Sequence, residues 1–361
     1  MKPIAVIGAN GGVGRALSRQ LLQWHLPVRL GARKPDELDM HKLIVHDKGA
    51  DYETRFVDVD NIDSLMRFID NTSLVVNCAG PLIQVGRHVI NVALDAGIDV
   101  IDINASVDDP VIYQQKIQPQ QRLITACGLM PGLTGALPIL LADSMRTVKR
   151  IHIAVGGQDY LTPAAAADII YAARQRSTLS KQTASVIPDD MRALFSDEAN
   201  AVPYHDEEIT QISAQLGVPS IYAWAVYVGR ATQYLLLQSL NSSKPLGHLA
   251  RRISRTSKVD VIGSPRYQQI IVDLFDNMDS HIPTKRACLK GKGASEISGA
   301  ALACVVHGII HNNIAPGIWS GADVLGSQIV IKQLTKCDAI LGFDVVENPI
   351  AELLQMEEGV V

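Results

Sequence analysis

The sequence predicts an α/β fold in which a doubly wound parallel sheet is followed by a second, α+β domain. Short apolar runs alternate with segments of helical spacing over the first ~128 residues. The chain has 361 residues, more than the ~100 to 200 of one typical domain. Hydrophobic residues make up 47% of the chain and charged residues 19%, a composition that suits strands buried on both faces and excludes a disordered protein.

The predicted elements of the first domain follow one another in strict alternation. Residues 4–7 form a strand that leads through a glycine-rich turn into a helix over residues 13–24. Gly97 ends a helix over residues 85–96, since helices commonly end at a glycine. Such alternation implies parallel pairing through right-handed crossovers, so we predict one domain over residues 1–130. Its other strands are residues 28–32, 56–59, 73–78, 99–103 and 122–126, with a helix over 62–69.

A second domain is predicted over residues 131–298, where the alternation stops. Its helix over residues 164–174 has Thr162 as its cap and Pro163 at its first position. The polar stretch 174–188 is predicted to be a mobile loop over a site. Further predicted elements are strands 150–155 and 221–228 and helices 207–216, 300–310 and 321–334.

The glycine-rich turn carries the clearest chemical signal in the sequence. Between a strand and a helix, such glycines let the backbone approach a pyrophosphate while the N-terminal amides of the helix point at it. A glycine match alone is also compatible with a plain tight turn, but the surrounding sheet favours dinucleotide binding. The predicted cofactor-binding residues here are Gly8, Asn10, Gly11, Gly12, Val13 and Gly14, spaced G-x-x-G-x-x-G.

The end of the second strand distinguishes the two nicotinamide cofactors. An acidic residue there would bond the adenosine ribose, whereas a basic residue pairs with a 2′-phosphate. The residues present are Arg33 and Lys34, which favour NADP(H). The alternative is that both belong to an ordinary solvated turn, and Asp36 lies late enough to cap a helix.

Other strand ends face the same crevice of a doubly wound sheet. Asp58 and Val59 are predicted beside the adenine, Asn77 ends the fourth strand, and Asp102 and Asn104 lie at the end of the fifth. Each of these residues could instead cap a helix or form a turn. The segment predicted beneath the ribose and nicotinamide comprises Cys78, Ala79, Gly80 and Pro81.

The candidates for proton transfer are Tyr160, His205 and Asp102. Tyr160 follows a strand, and His205 with Asp206 precedes a helix, so each could offer a proton at neutral pH. Asp102 could hold the substrate amine or orient the donor. A surface or packing role is the alternative for each, and Cys127 is interpreted as a small buried residue.

Charge and cysteine content exclude several classes of function. The net charge of −4 gives no basic field for nucleic acid, and the arginines at 251, 252 and 255 are too few to reverse it. The five cysteines are far apart, which predicts no metal site and a reduced, cytoplasmic location.

The N-terminal apolar run breaks at the glycine turn, unlike a signal peptide. Residues 221–240 contain Arg230 and do not predict a membrane span. A Ser-His-Asp order and a Walker loop are not apparent.

Five segments together resemble the saccharopine dehydrogenase-like (saccharopine reductase-like) NADP-binding family, specifically over about residues 4 to 135 and weakly beyond. The resemblance implies a Rossmann domain, a discontinuous substrate domain and closing helices over residues 299–355 that return to the Rossmann domain. Members include reductases that form carbon–nitrogen bonds, lysine dehydrogenases, polyamine-forming enzymes and trans-acting enoyl reductases. Residues 125–130 depart from the amino-acid-binding members, which disfavours an amino-dicarboxylic substrate. The matching segments are the glycine turn, residues 32–33, 75–81, 96–102 and 128–132.

We therefore expect an NADPH-dependent oxidoreductase that reduces a small-molecule imine. A trans-acting enoyl reductase acting on an activated alkene is the second choice, and a non-catalytic NADP-binding sensor or scaffold is the competing class. A homodimer through the second domain is also expected, because exposed sheet faces usually find cover. The alternative is that helices of the same chain cover this face. The residues that suggest it alternate along two strands: Ile151, Ile153, Val155, Ala223, Ala225 and Tyr227.

Overall fold

A computed structural model describes residues 1–38, 51–81, 85, 87–104, 110–176, 186–196 and 199–347. The chain divides into two compact units. The first contains residues 1–133, 295–325 and 329–339, and the second contains residues 134–294, 326–328 and the chain from 340 onward. The sequence-based boundaries were 130/131 and 298/299.

The first unit is built on a seven-stranded sheet whose neighbouring strands are all parallel. The strand order is β12-β6-β5-β4-β1-β2-β3, so the order reverses beside β1 and opens a crevice at the carboxyl ends of β1 and β4. Its strands are β1 Ile4–Ile7, β2 Val28–Ala32, β3 Tyr52–Phe56, β4 Leu74–Asn77, β5 Asp99–Asp102, β6 Arg122–Thr125 and β12 Gly317–Ser320.

The helices of the first unit come from two parts of the chain, residues 12–116 and residues 294–334. Gly97 has a φ of 73° just after α3, as its predicted place at a helix end requires. The helices are α1 Gly12–Gln23, α2 Ile62–Ile69, α3 His88–Asp95, α4 Pro110–Lys116, α11 Ala294–Ile310, α12 Gly321–Leu325 and α13 Gln328–Leu334. A 3-10 turn, Pro35–Glu37, follows β2.

The edge strand β3 lies earlier in the chain than the sequence predicted. The apolar pattern favoured residues 56–59, but the strand is the polar run 52–56, whose backbone pairs with β2. Buried Arg29 on β2 explains this register. Its guanidinium donates to Glu53 Oε1 at 2.5 Å and to the carbonyls of Phe68 and Asp70 at 2.6 Å. Arg29 thereby fixes β3 and the end of α2 to the sheet.

The segment after α11 contains a strand that the sequence did not indicate. β12 pairs in parallel with β6, with Trp319 opposite Ile124. Four residues including a glycine give too weak a pattern to distinguish a strand from a turn. The helix predicted over 321–334 is two short helices, α12 and α13.

The second unit is built on a six-stranded mixed sheet of order β13-β11-β10-β7-β9-β8. β7 and β9 are parallel, and the other neighbours are antiparallel. The strands are β7 Arg150–Gly157, β8 Ala199–Tyr204, β9 Ser220–Val228, β10 Gln268–Phe275, β11 Lys285–Gly291 and β13 Ile340–Glu347. The predicted fold class, a doubly wound parallel sheet of the Rossmann type with a second α+β domain, is confirmed.

Two helices in this unit begin at a side-chain cap, of which the sequence predicted Thr162. Thr162 Oγ1 accepts a hydrogen bond from Ala165 N at 3.1 Å, and Asp206 Oδ1 accepts one from Ile209 N at 3.0 Å. Residues 177–185 of the predicted mobile loop lie outside the described residues. The helices are α5 Leu133–Ala142, α6 Pro163–Arg176, α7 Asp189–Arg192, α8 Glu207–Leu216, α9 Arg230–Leu240 and α10 Leu246–Asp260.

Two observations in this unit differ from the sequence-based expectations. Residues 340–347 are the edge strand β13, although the sequence predicted only helices up to residue 355. The sheet face expected to need a partner copy is already covered within the chain. Ile151, Ile153 and Ala225 are buried, as are Val155 and Ala223, and Tyr227 packs against α6, α9 and α10. The reason given for the homodimer therefore does not hold.

Among the described residues, none of the helices is long and apolar enough to cross a bilayer.

Candidate cofactor and active site

The glycine turn brings three stretches of backbone into contact. Gly8 follows β1 with a φ of 81°, and a Cβ there would lie 2.8 Å from the amide nitrogen of Ala79 beyond β4. A Cβ on Gly14 in α1 would lie 2.3 Å from the carbonyl oxygen of Gly8. Only glycine fits both positions, so the turn, the start of α1 and the loop after β4 pack directly on one another.

The N-terminus of α1 is open to an anion. Gly11 caps the helix without a side chain, and its own amide donates to Gly8 O at 2.9 Å. The cap therefore provides no side-chain acceptor for the first-turn amides of Gly12, Val13 and Gly14. These amides, with the positive end of the helix dipole, suit a pyrophosphate.

A polar contact connects this turn to the end of β2. Asn10 Nδ2 donates to the carbonyl of Lys34 at 3.1 Å, and the Lys34 ammonium lies 2.7 Å from Glu37 Oε1. Arg33 is exposed and has no ion pair within the part of the chain that the structure describes. Of the two predicted bases, Arg33 is therefore the one whose charge is available to a ligand.

Asp58 and Val59 lie after β3, as predicted, but Asp58 has a local role. Its backbone amide donates to Ser64 Oγ at 3.0 Å, and its carboxylate accepts from the Asp60 amide at 3.2 Å. These bonds form the turn before α2. Val59 packs against the core of the first unit. The turn-forming alternative therefore describes Asp58.

Asp102 is buried and holds two strand ends together. Its Oδ2 accepts a hydrogen bond from Asn77 Nδ2 at 2.8 Å, and its Oδ1 accepts one from the Asn104 amide at 2.8 Å. Burial raises the pKa of Asp102 to about 6, although the hydrogen bonds from Asn77 and Asn104 favour the charged form. At neutral pH the carboxylate is ionised, and both oxygens are occupied by donors.

The loop after β4 is shaped by the same residues. Asn77 Oδ1 accepts a hydrogen bond from the Ala79 amide at 3.1 Å, and Asn104 Nδ2 donates to the Ala79 carbonyl at 3.3 Å. Cys78, Gly80 and Pro81 follow the same strand. Burial and the neighbouring Asp102 raise the pKa of the Cys78 thiol, so it stays protonated.

Tyr160 lies just beyond β7 in a charged setting. The guanidinium of Arg266 is 4.3 Å from the centre of its ring, and the Lys258 ammonium is 5.6 Å away. The adjacent Asp159 carboxylate accepts hydrogen bonds from Arg266 Nε, the Tyr160 amide and the Ala294 amide, each at 2.8 Å. Burial raises the pKa of Asp159, and these three donors oppose that shift.

His205 lies at the opposite end of the same sheet. β8 ends with Tyr204 opposite Ala223 of β9, whereas β7 ends with Gly157 opposite Tyr227. At ~3.3 Å per residue, four residues of β9 separate these levels by about 13 Å, and the two chains leave in opposite directions. His205 is exposed, with Nε2 3.1 Å from Thr210 Oγ1. The structure thus does not bring Tyr160 and His205 together, and Asp102 belongs to the other unit.

Sequence reasoning did not predict several contacts in these two settings. It placed Asn77 and Asn104 at strand ends that face the crevice, but it did not predict that both donate hydrogen bonds to Asp102. Asp159 precedes Tyr160, and a buried acid at a strand end could have been noticed there. Arg266 and Lys258 lie about 100 residues away in the sequence, with no motif to connect them.

Comparison with protein families identifies the first part of the chain. Residues 4–129 match the family model of the saccharopine dehydrogenase NADP binding domain. This match confirms the resemblance found in the sequence and the prediction of NADP(H). None of the curated proteins matches the chain.

One solved structure with a similar fold covers nearly the whole chain. The apo saccharopine dehydrogenase (L-Glu forming) from Saccharomyces cerevisiae superposes with a TM-score of 0.61 at 11% identity, over 96% of this chain and all of that one. At this identity the likeness shows the fold alone. The WlbA (WbpB) dehydrogenase from Thermus thermophilus, in complex with NAD and UDP-GlcNAcA, has a TM-score of 0.42 at 11% identity, covering 93% of this chain and 94% of that one.

We expect the substitution Asp102→Asn to lower the free energy of unfolding at neutral pH by about 1 to 3 kcal/mol. The side-chain oxygen of the new asparagine would accept the hydrogen bond from the Asn104 amide. Its NH₂ group would then face Asn77 Nδ2, so two donors would meet without an acceptor. Urea denaturation measures the loss.

The matched control exchanges the two groups. In Asn77→Asp/Asp102→Asn, the aspartate at 77 accepts from the Ala79 amide and from the new asparagine, so every donor again faces an acceptor. Most of the lost stability should return. A double variant that is no more stable than Asp102→Asn would contradict the proposed hydrogen-bond pattern.

Proposed function

We propose that this chain, with its saccharopine dehydrogenase-like NADP-binding domain, is an NADPH-dependent reductase that transfers hydride to a small-molecule imine. The proposal rests on the start of α1, which packs against Gly8 and has no side-chain cap on its first amides. The exposed guanidinium of Arg33 follows β2, the strand next to β1. A pyrophosphate and a 2′-phosphate are the two anionic parts of NADPH. We also propose a cytoplasmic location, because the five cysteines are odd in number and far apart in the sequence.

Selection of NADPH is proposed to rest on Arg33. A guanidinium matches a phosphate with two parallel hydrogen bonds, which a ribose hydroxyl does not offer. Lys34 follows Arg33 but already pairs with Glu37. The two adjacent bases therefore provide a test residue and a control of the same charge.

We expect Arg33→Ala to weaken NADPH binding by about 10- to 100-fold while leaving NADH binding nearly unchanged, because only NADPH carries the 2′-phosphate. Fluorescence titration with each cofactor measures both constants. Lys34→Ala should change NADPH binding much less. Equal losses for both cofactors in Arg33→Ala, or a wild-type preference for NADH, would remove Arg33 from this role.

Reduction of an imine needs hydride at carbon and a proton at nitrogen. The bound nicotinamide supplies the hydride. We propose Tyr160 as the proton donor at the substrate nitrogen. Its ring lies against Arg266 and close to Lys258, so the negative charge left on the phenolic oxygen would have two cations nearby. Asp159 positions Tyr160 by accepting hydrogen bonds from the Tyr160 backbone amide and from the Arg266 guanidinium.

Asp102 and His205 have weaker support as members of this reaction. Both oxygens of Asp102 already accept hydrogen bonds, which suits a positioning residue for the loop after β4. His205 is exposed at the far end of the sheet from Tyr160. We propose that Asp102 shapes the nicotinamide side of the crevice and that His205 does not share a site with Tyr160.

We expect NADPH oxidation with cyclic or condensed imines, and a loss of about 100-fold or more in kcat for Tyr160→Phe with NADPH affinity unchanged. The assay follows NADPH absorbance with a panel of imines, enones, and keto acids combined with amines. His205→Gln serves as the control with near wild-type turnover.

Each other result of this assay has a definite meaning. Oxidation with enones alone would make the protein an alkene reductase. Tight NADPH binding without turnover of any candidate would make it a sensor or scaffold. If Tyr160→Phe, His205→Gln and Asp102→Asn all keep wild-type turnover, the proton comes from solvent.

We also propose a homodimer, now through the edge strand β13 instead of the covered sheet face. Leu341 and Val345 are about half exposed on this strand. An exposed apolar edge is a template for pairing with another chain. We expect light scattering to give twice the 39.1 kDa of one chain, and Leu341→Lys/Val345→Lys to give the monomer. A wild-type particle of 39.1 kDa in dilute solution would contradict the dimer.

A further inference from the structure

One segment of the second unit has a charge content opposite to that of the whole chain. The protein has 37 acidic residues among 361 and a net charge of −4. Residues 209–259 nevertheless contain no aspartate or glutamate. Their basic residues are Arg230, Lys244, Arg251, Arg252, Arg255 and Lys258. A run of this kind produces a local positive field on an otherwise acidic protein.

Helix α10 places three of these arginines on its outer face. Leu249, Ala250 and Ile253 point inward, and Arg251, Arg252 and Arg255 are exposed. Residues three and four apart lie side by side on a helix, so the three guanidinium groups form one patch. The described part of the chain supplies no ion pair to any of them. The acid that ends α10, Asp260, already accepts hydrogen bonds from the amide and hydroxyl of Thr232 at 2.8 and 2.6 Å.

Large apolar side chains are exposed in the same pair of helices. Tyr234 and Leu237 on α9 are 62% and 57% exposed, and Ile262 just after α10 is 75% exposed. The inner faces of the two helices, by contrast, pack together in one core cluster that includes Leu236 and Ile253. We call residues 230–262 the α9–α10 hairpin. Its outer surface combines the exposed Arg251, Arg252 and Arg255 with exposed apolar side chains.

The combination favours one kind of partner. Anionic headgroups attract arginines, and leucine, isoleucine and tyrosine enter the boundary between headgroups and acyl chains. A nucleic acid would use the arginines but would leave Leu237 and Ile262 in water. A neutral apolar protein surface would leave the arginines unpaired. We propose that the α9–α10 hairpin docks peripherally on a bilayer that contains anionic phospholipid.

The test uses the full chain and vesicles. With roughly one part phosphatidylserine to two parts phosphatidylcholine, the protein should cosediment, and it should not do so with phosphatidylcholine alone. Binding should weaken as ionic strength rises, because surface charges are screened. Arg251→Gln/Arg252→Gln/Arg255→Gln should lower the partition coefficient by about 100-fold, since each basic residue near the surface contributes roughly a factor of five.

A second triple variant controls for net charge. Lys2, Lys332 and Lys336 are exposed residues of the other unit, and their replacement by Gln removes the same charge. This variant should bind vesicles like the wild type. Leu237→Gln/Ile262→Gln should reduce the binding that remains at high salt. NADPH titration of every variant shows that each is folded.

Four results would overturn the proposal. They are equal binding to neutral and anionic vesicles, an equal loss in the lysine control, binding to heparin or single-stranded DNA without binding to vesicles, and arginine-dependent self-association without binding to vesicles. The last two would assign the surface to a nucleic-acid-like polyanion and to a second copy of this chain.

Discussion

The candidate cofactor site depends on one steric constraint, the contact between the backbones of Gly8 and Gly14. A Cβ on Gly14 would come within 2.3 Å of the Gly8 oxygen, so α1 can start this close to β1 only without one. The same absence of a side chain at Gly8 lets the loop after β4 pass behind the turn. The amides of α1 and the loop after β4, both proposed to contact the cofactor, are positioned relative to this contact.

Buried carboxylates connect separate segments in both units. Asp102 joins the ends of β4 and β5 in the first unit, and Asp159 joins the end of β7 to Arg266 and to the amide of Ala294 within the second unit. An ion removed from water is destabilising unless donors surround it, and these carboxylates accept two and three hydrogen bonds respectively from the chain. A residue that is fully engaged in this way is better suited to holding a loop in place than to exchanging protons.

Local patterns in the sequence were sufficient for the first sheet and for the helix ends. Buried strands such as residues 4–7 and the cap Thr162 are determined by neighbours in the chain, so they could be predicted. β3 could not, because its residues are polar and its register depends on Arg29 from the adjacent strand. β10 and β11 were not assigned from the sequence, and the setting of Tyr160 depends on Arg266, which only folding brings near. The sheet face of Ile151 and Ala225 was misjudged because alternation shows which residues share a face but not what covers it.

Each sheet takes an edge strand from the last part of the chain, and this has a consequence for how the protein is made. β6 obtains its neighbour β12 from residues 317–320, and β11 obtains β13 from residues 340–347. During synthesis on the ribosome, each sheet therefore lacks an edge strand until residues 317–320 and 340–347 respectively have emerged. Pairing between segments that lie far apart in the sequence is slow to form. Until it forms, the backbone groups at the edges of β6 and β11 are unpaired, which makes the partly synthesised chain prone to aggregation.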